Sequence, residues 1–502
     1  MSNNKVLNWY KSNVVFVWTL IIALAVICFG AYYSNVLGEV SGVLMSWVSD
    51  KFGWLYIWAV FGFIVFLAWL CMSKYGKIKL GDANDKPEFS TFSWYSMLFC
   101  GSTGIGLVFW SIAEPLSHYA APPVGGGILP GSHEAMDFTM RTCYLHWGIT
   151  QWACFAIVGL GVAYFQFRKK KNAQLSNLLT PLVGEKLTQG WFGKLIDGFS
   201  VVVSYAGVAT SLGLGVSQIC GGLEHLFGLP KTQETMLIII VLITLVFIIS
   251  AISGVYKGIK ILSNVNTYLA LALLVVAFCV GPKIAILNNL TNSVGQHIQY
   301  FFKDVLMTNA FGDNSWVMNW RVFYYAWFIA WTPFVGMFVA RISKGRTIKE
   351  FILGVVVVPS VFTIIWLAVF GTIALSTVQG WSLESVQQLI ASPETAVFIV
   401  FNEYPMAKVI SMMIVVLLGI FFITSADSAT YSLSMMTSDG TITPPVYKKV
   451  IWGIIEATIA FVLLSAGSLK PLQTISIAAT LPFLFIMIAM IPALMKELKH
   501  DK

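Results

Sequence analysis

Charge is what this chain has least of. Only 11% of its 502 residues are Asp, Glu, Lys or Arg, while 57% are hydrophobic and the mean hydropathy is +0.78. A soluble protein of this length carries roughly a quarter charged residues, so a water-soluble globular fold is excluded. Cysteine is also scarce. The seven residues (Cys28, Cys71, Cys100, Cys143, Cys154, Cys220 and Cys279) lie in or beside apolar runs without a CxxC pair, and they read as small buried hydrophobes rather than disulfides or metal ligands. The chain has no HExxH, no GxSxG and no phosphate-binding loop. Glu114 and His118 lie far from Asp427 along the chain and none has a nucleophile beside it, so no enzyme activity is expected. The net charge of +8 is spread over short segments between apolar runs, which excludes a nucleic-acid-binding patch. No loop is long enough to hold a soluble domain.

What the chain does have is long apolar runs. They lie near 14–33, 54–73, 93–112, 140–165, 197–219, 235–252, 260–281, 317–340, 351–375, 406–437, 447–466 and 471–495, each of spanning length. The expectation is an all-α polytopic membrane protein with 12 transmembrane helices. Lys5 and Lys11 precede the first run, which is full spanning length and reads as an uncleaved helix rather than a signal peptide. Basic residues gather in alternate loops: Arg168 to Lys171, Lys257 and Lys260, Arg341 to Lys349, Lys448 and Lys449, and the tail from Lys496. The positive-inside rule then places both termini in the cytoplasm, as an even span count requires, with the chain multi-pass in the inner (cytoplasmic) membrane. The segment Leu287–Leu306 is too polar to span and reads as an interfacial helix. The acidic stretch Ser376–Pro405 reads as an external loop.

Several spans carry chemistry that lipid alone does not ask for. Trp320-Arg-Val-Phe-Tyr-Tyr-Ala-Trp-Phe-Ile-Ala-Trp331 puts Trp327 and Trp331 four residues apart, on one helical face. Packing in a bilayer gains little from indole, but clustered indole faces make electron-rich walls for a cation without hydrogens to donate, such as a quaternary ammonium. The fourth span adds His146-Trp147 and Gln151-Trp152 with Phe155. The third contains Cys100-Gly-Ser-Thr-Gly-Ile-Gly106, whose glycines weaken the helix and allow close backbone approach, or equally form a packing seam. The tenth contains Phe421-Phe-Ile-Thr-Ser-Ala-Asp427-Ser428, where hydroxyls and exposed carbonyls of a broken helix offer hard oxygen ligands for an alkali cation. An aspartate at that depth costs about 2.5 kcal/mol or more and needs a partner or a role. The seventh span opens with Asn264 and Asn266 at or just inside the membrane.

Together these segments resemble the betaine/carnitine/choline transporter family over the whole chain. The resemblance is most specific in 101–106, in 320–331 with its continuation Ala340 to Arg346, and in 423–428. It implies a LeuT-like five-plus-five inverted repeat preceded by two extra helices, with sites at the midplane. The implied division is 1–90 for the N-terminus and two peripheral helices, 91–282 for the first repeat, 283–315 for the interfacial helix, 316–495 for the second repeat and 496–502 for a short tail. Also implied are an aromatic box of Trp147, Trp152, Phe155, Trp327, Phe328 and Trp331, flanked by Ser102, Thr103 and Gly104. A sodium site would use Thr424 and Ser425 with carbonyls near Cys100, Thr103 and Phe421. Asn266, Asp427 and Ser204 would bear on coupling.

The chain departs from the family signature at Arg321, Tyr325 and Phe328. Thr103 replaces the methionine of many sodium-coupled members, as in sodium-independent carnitine exchangers. Those exchangers carry arginine where this chain has Asn266, so here the space needs a real cation. Ser204 and Val208 align with a threonine pair at a second sodium site, and Val208 offers no oxygen. The expected function is cation-coupled uptake, with sodium as coupling ion and no cofactor, of a quaternary ammonium compound of the glycine betaine, choline or carnitine type by alternating access. The alternative is a sodium-independent exchanger of trimethylammonium compounds. The resemblance further implies a homotrimer, and the tail lacks the long basic extension of osmosensing relatives, so intrinsic osmotic activation is not expected.

Overall fold

The computed structural model describes residues 13–465 and 480–501. Lys5, Lys11, Lys502 and the start of the twelfth apolar run (471–479) lie outside the described residues. Within them the structure is helical, apart from one antiparallel bridge between Lys79 and Thr347. By length and apolarity ten helices among the described residues could cross a membrane, or eleven when one bent pair is counted as a span. The eleventh apolar run forms a helix of the right length, Val446–Ser465, and what sets it apart from those ten is its three charged residues, Lys448, Lys449 and Glu456, all buried.

The chain opens with α1 (Val14–Tyr32) and α2 (Ser34–Met72). The third span is the bent pair α3 (Thr91–Ser102) and α4 (Gly104–Ala120), which meet at Thr103 with a 63° change of direction. Ser90 starts α3 by accepting the backbone N–H of Ser93. The fourth span is also interrupted: α5 (His133–Trp147) and α6 (Ile149–Ala163) are separated by Gly148. There the hydroxyl of Thr150 donates to the carbonyls of Leu145 and His146. Then come α7 (Trp191–Phe227), α8 (Gln233–Ser253), α9 (Lys260–Val280) and α10 (Lys283–Val305). The π-helical turn Val317–Val322 leads into α11 (Phe323–Ile342), and α12 covers Val358–Val378.

The stretch read as an external loop instead folds into α13 (Leu383–Ala391) and α14 (Pro393–Asn402), because Val386, Leu389, Phe398 and Phe401 bury against the helices beneath. The tenth span, α15 (Ala407–Met436), is one continuous helix. The break expected near Thr424 is absent. Its hydroxyls bond back to carbonyls three or four residues earlier, which leaves the ladder intact. The described chain ends with α16 (Val446–Ser465) and α17 (Thr480–Lys499).

Helix α11 occupies the centre, buried along its whole length and packed against α6, α7 and α15. The approach of α6 is close: a Cβ added to Gly336 would come within 2.7 Å of Val158, the small-residue packing that brings membrane helices together. By contrast, α8 and α9 expose Ile238, Leu242, Ile249, Ile261 and Val275, as the outer, lipid-facing layer should. Alternate loops converge at one end of the bundle. Arg341 makes a bidentate pair with Glu88 (2.7 and 3.0 Å), Lys170 reaches Asp82 at 2.8 Å, and Arg168 reaches Asp501 at 3.1 Å.

Candidate substrate and cation sites

The helix interruptions bring the aromatic residues together. Trp147 is the last residue of α5, where Gly148 turns the chain, and its ring meets Trp327 and Phe328 edge-on, each with centroids 6.0 Å apart. Trp327 stacks on Phe328 at 6.1 Å and meets Trp331 edge-on at 6.2 Å. These four rings, with Ser102, Thr103, Gly106 and Gln151, line a cavity of about 10 Å³, room for about one water molecule. A trimethylammonium group therefore enters only if the walls separate. Three buried polar atoms on these lining residues have no partner in the protein: Ser102 Oγ, Gln151 Oε1 and Trp327 Nε1. Two can donate a hydrogen and Gln151 Oε1 can only accept.

The remaining residues of the expected box stand behind the wall. Phe155 lies 6.4 Å from Phe328, and Trp152 contacts Phe155 in turn at 5.8 Å. Gln151, one turn past Trp147, still lines the cavity, whereas Trp152 lies on the adjacent face and Phe155 a further turn along α6. Gly104 also sits outside the cavity lining, with its space filled by the Phe421 ring: a Cβ there would lie 1.9 Å from Phe421 Cδ1. The glycine stretch is thus both a bend and a packing seam. Gly101 abuts Phe338 and Gly106 abuts Trp147.

Oxygens cluster where α3 crosses α15. The Thr424 hydroxyl lies within 3.0–3.3 Å of the carbonyls of Ile420, Phe421 and Cys100, and the Ser425 hydroxyl lies 3.2 Å from the Cys100 carbonyl. Two hydroxyl hydrogens thus face three carbonyl oxygens, and the surplus of lone pairs suits a hard cation. Thr103 turns its hydroxyl to the Phe99 carbonyl at 3.3 Å and lines the substrate cavity instead. Asn266 approaches from α9, its amide 3.8 Å from Cys100 Sγ, with Oδ1 buried and unpartnered. Ser204 bonds back to the Ser200 carbonyl at 2.8 Å within α7. Asp427 accepts from Ser250 of α8 and from Ser428. Its partners are hydroxyls rather than a basic residue.

Comparison with known proteins bears on this geometry. Residues 14–502 match the family model described as BCCT, betaine/carnitine/choline family transporter. The chain belongs to the betaine/carnitine/choline transporter family. It is 42% identical over 98% of its length to a probable glycine betaine transporter of Desulfitobacterium hafniense, 98% of which is covered. It is also 42% identical to the glycine betaine transporter OpuD of Bacillus subtilis, over 97% of this chain and 94% of that one. An ectoine/hydroxyectoine transporter of Virgibacillus pantothenticus is 39% identical, over 98% of this chain and 97% of its own. The protein is accordingly a multi-pass membrane transporter and not an enzyme.

Sequence reasoning missed one group in this transporter. Glu114, His118, His146, Arg321 and Tyr324 converge behind the box, all fully buried. Glu114 and His118 are one helical turn apart on α4, a spacing readable from sequence. No sequence signal joins them to His146 and Arg321, which lie on other helices. The ligand atoms of Glu114, His118 and His146 lie within 4.8 Å of one another, close enough to hold a metal ion. A divalent ion there would leave a net charge of about +1 beside the positive Arg321 at membrane depth, which the surroundings do not compensate. The hydrogen bonds instead satisfy the carboxylate with protons.

Proposed function

We propose that this transporter carries a zwitterionic quaternary ammonium compound of the glycine betaine type into the cell, coupled to sodium, by alternating access. The observation that carries the reading is the cavity walled by Trp147, Trp327, Phe328 and Trp331, with unpartnered donors at Ser102 and Trp327. The rings suit the trimethylammonium end. The donors suit a carboxylate, which favours a zwitterion over choline.

The magnitudes agree. A desolvated cation–π contact contributes about 2 kcal/mol, so three or four faces give about 6–8 kcal/mol, near the roughly 8.2 kcal/mol of micromolar binding. No salt bridge is required. A zwitterion alone gains nothing from the membrane potential, whereas each co-transported cation adds about 2.3 kcal/mol per 100 mV. The oxygen cluster at Cys100, Phe421, Thr424 and Ser425 supports sodium in that role, and Asn266, which brings no fixed positive charge, leaves room for it. A degraded second site at Ser204 and Val208 supports one sodium per cycle. This reading includes an inner-membrane location with both termini cytoplasmic, a LeuT-like inverted repeat and a homotrimer.

Uptake of labelled glycine betaine, choline and carnitine into proteoliposomes, each with and without an inward sodium gradient, tests it. Concentrative betaine uptake that requires sodium is the expected result. Uptake that ignores sodium but requires internal substrate would overturn coupling and establish the exchanger.

A further inference from the structure

The carboxylate of Glu114 takes four hydrogen bonds from four side chains on three elements. Oε2 accepts the indole N–H of Trp147 at 2.5 Å and the phenol of Tyr324 at 2.7 Å. Oε1 accepts from His146 Nδ1 at 2.7 Å and from His118 Nε2 at 3.2 Å. An ionised carboxylate offers about four acceptor positions and no donor, so all its capacity is used. The neutral amide of glutamine cannot replace it, since its NH₂ would face donors on one side or the other.

Behind His146 stands Arg321, whose Nε–H points at His146 Nε2 at 3.1 Å. A guanidinium can only donate, so Nε2 must present its lone pair and the ring hydrogen must sit on Nδ1, facing Glu114. The arginine thus fixes the tautomer that the carboxylate needs. Its positive charge also balances a carboxylate buried at membrane depth, which is costly if left alone.

The two donors on Oε2 are the wall of the substrate cavity and its keystone. Trp147 is the wall. The Tyr324 ring lies 5.6 Å from Trp147, 5.8 Å from Trp327 and 5.6 Å from Phe328. One carboxylate on α4 therefore holds the end of α5 in register with α11.

We propose that Glu114, with Arg321 acting through His146, forms a positioning relay that sets the orientation of the aromatic box and hence the affinity for substrate. The proposal rests on the function argued above only for the identity of the substrate. The relay itself does not touch that substrate.

The test combines uptake kinetics with a spectroscopic reading that needs no substrate. In proteoliposomes with labelled glycine betaine, Glu114→Gln should raise KM at least tenfold while the maximal rate falls less than threefold. Glu114→Asp, which keeps the charge, should restore part of that loss. Arg321→Thr should raise KM several-fold, and the double variant should be no worse than Glu114→Gln alone, since both act through one path. The ¹⁵N–H resonance of the Trp147 indole, assigned by its disappearance in Trp147→Phe, should shift in Glu114→Gln and in Arg321→Thr. If Glu114→Gln does not fold, Glu114→Asp and Arg321→Thr carry both readings. An unmoved Trp147 resonance, additive effects on KM, or an unchanged KM would each overturn the relay. Should the wild-type protein take up no quaternary amine while the Trp147 resonance moves as stated, the function is wrong and the relay stands.

Discussion

Trp331 donates its indole N–H to the backbone carbonyl of Gly207 at 3.0 Å, across the interface between α7 and α11. The same glycine lies against the ring, so that a Cβ at position 207 would come within 2.9 Å of Trp331 Cδ1 and 3.2 Å of the Ala330 backbone. The plane of one box wall is thus set by a residue that never meets substrate.

Gly207→Ala should push the Trp331 indole out of place. Overpacking of this kind costs about 1–3 kcal/mol, and the loss should appear as a KM for betaine raised about tenfold. Trp331→Leu, which removes the electron-rich face, should cost about 1–2 kcal/mol of binding. Combining the two should add little, because both remove the same wall. Concentration-dependent uptake by the three variants checks this, and fully additive losses would contradict it.

Gly104→Ala should be far more harmful than an ordinary glycine replacement. Its Cβ would overlap the Phe421 ring at 1.9 Å, in the bend between α3 and α4, whereas a Cβ at Gly42 meets nothing within 4 Å. The former should lower the melting temperature in detergent and abolish uptake. Gly42→Ala should leave both within error of wild type.

Thr424→Ala combined with Ser425→Ala removes both hydroxyls from the oxygen cluster. At about 1–3 kcal/mol for the lost polar partners, the sodium concentration for half-maximal uptake should rise at least tenfold. Asn266→Arg should place a guanidinium near Cys100 and weaken the dependence on sodium. A sodium titration of initial rates decides both. Wild-type rates equal in sodium and potassium would contradict the assignment of the cluster.

Glu88→Gln should unfasten α3 from α11 at the end of the bundle that carries the basic loops. The Arg341–Glu88 pair is bidentate and largely buried, so its loss should cost about 1–3 kcal/mol. A three- to tenfold rise in KM is expected. The exchange of both residues, Glu88→Arg with Arg341→Glu, should recover much of it, and a failure of that rescue together with an unchanged single variant would count against the fastening.

Apolar runs made most of the helices legible, since length and hydropathy decide what crosses a bilayer. The i, i+4 spacing of Trp327 and Trp331 likewise survives folding unchanged, and both line the cavity. Interruptions were harder to read. Nothing in the periodicity around Trp147-Gly148-Ile149 signals that the helix stops, and residue type alone does not tell that Gln151 lines the cavity while Trp152 and Phe155 stand behind the wall. Around Thr424 the error ran the other way. Hydroxyls that look like a break are accommodated by bonding back along the helix. The segment 383–402 read as a loop because Glu384 and Glu394 mark it as acidic and its apolar stretches are too short to span, yet those stretches dock it as two short helices. Convergence of Glu114 with His146 and Arg321 cannot be read from a linear pattern at all, because the partners are separated by 32 and 175 positions along successive links.

The near-absence of free volume inside the ring of Trp147, Trp327, Phe328 and Trp331 has a thermodynamic consequence. A molecule that must prise its own site apart spends part of its contact energy on that work, and its measured dissociation constant equals the intrinsic one divided by the fraction of protein already open. Substitutions far from the rings that merely loosen their closure will then tighten apparent binding without adding a single contact. Ranking variants by KM alone would mistake such residues for recognition elements, whereas comparison of a bulky and a compact substrate on the same variant separates them. Loosened closure improves both alike, and an altered wall changes their ratio.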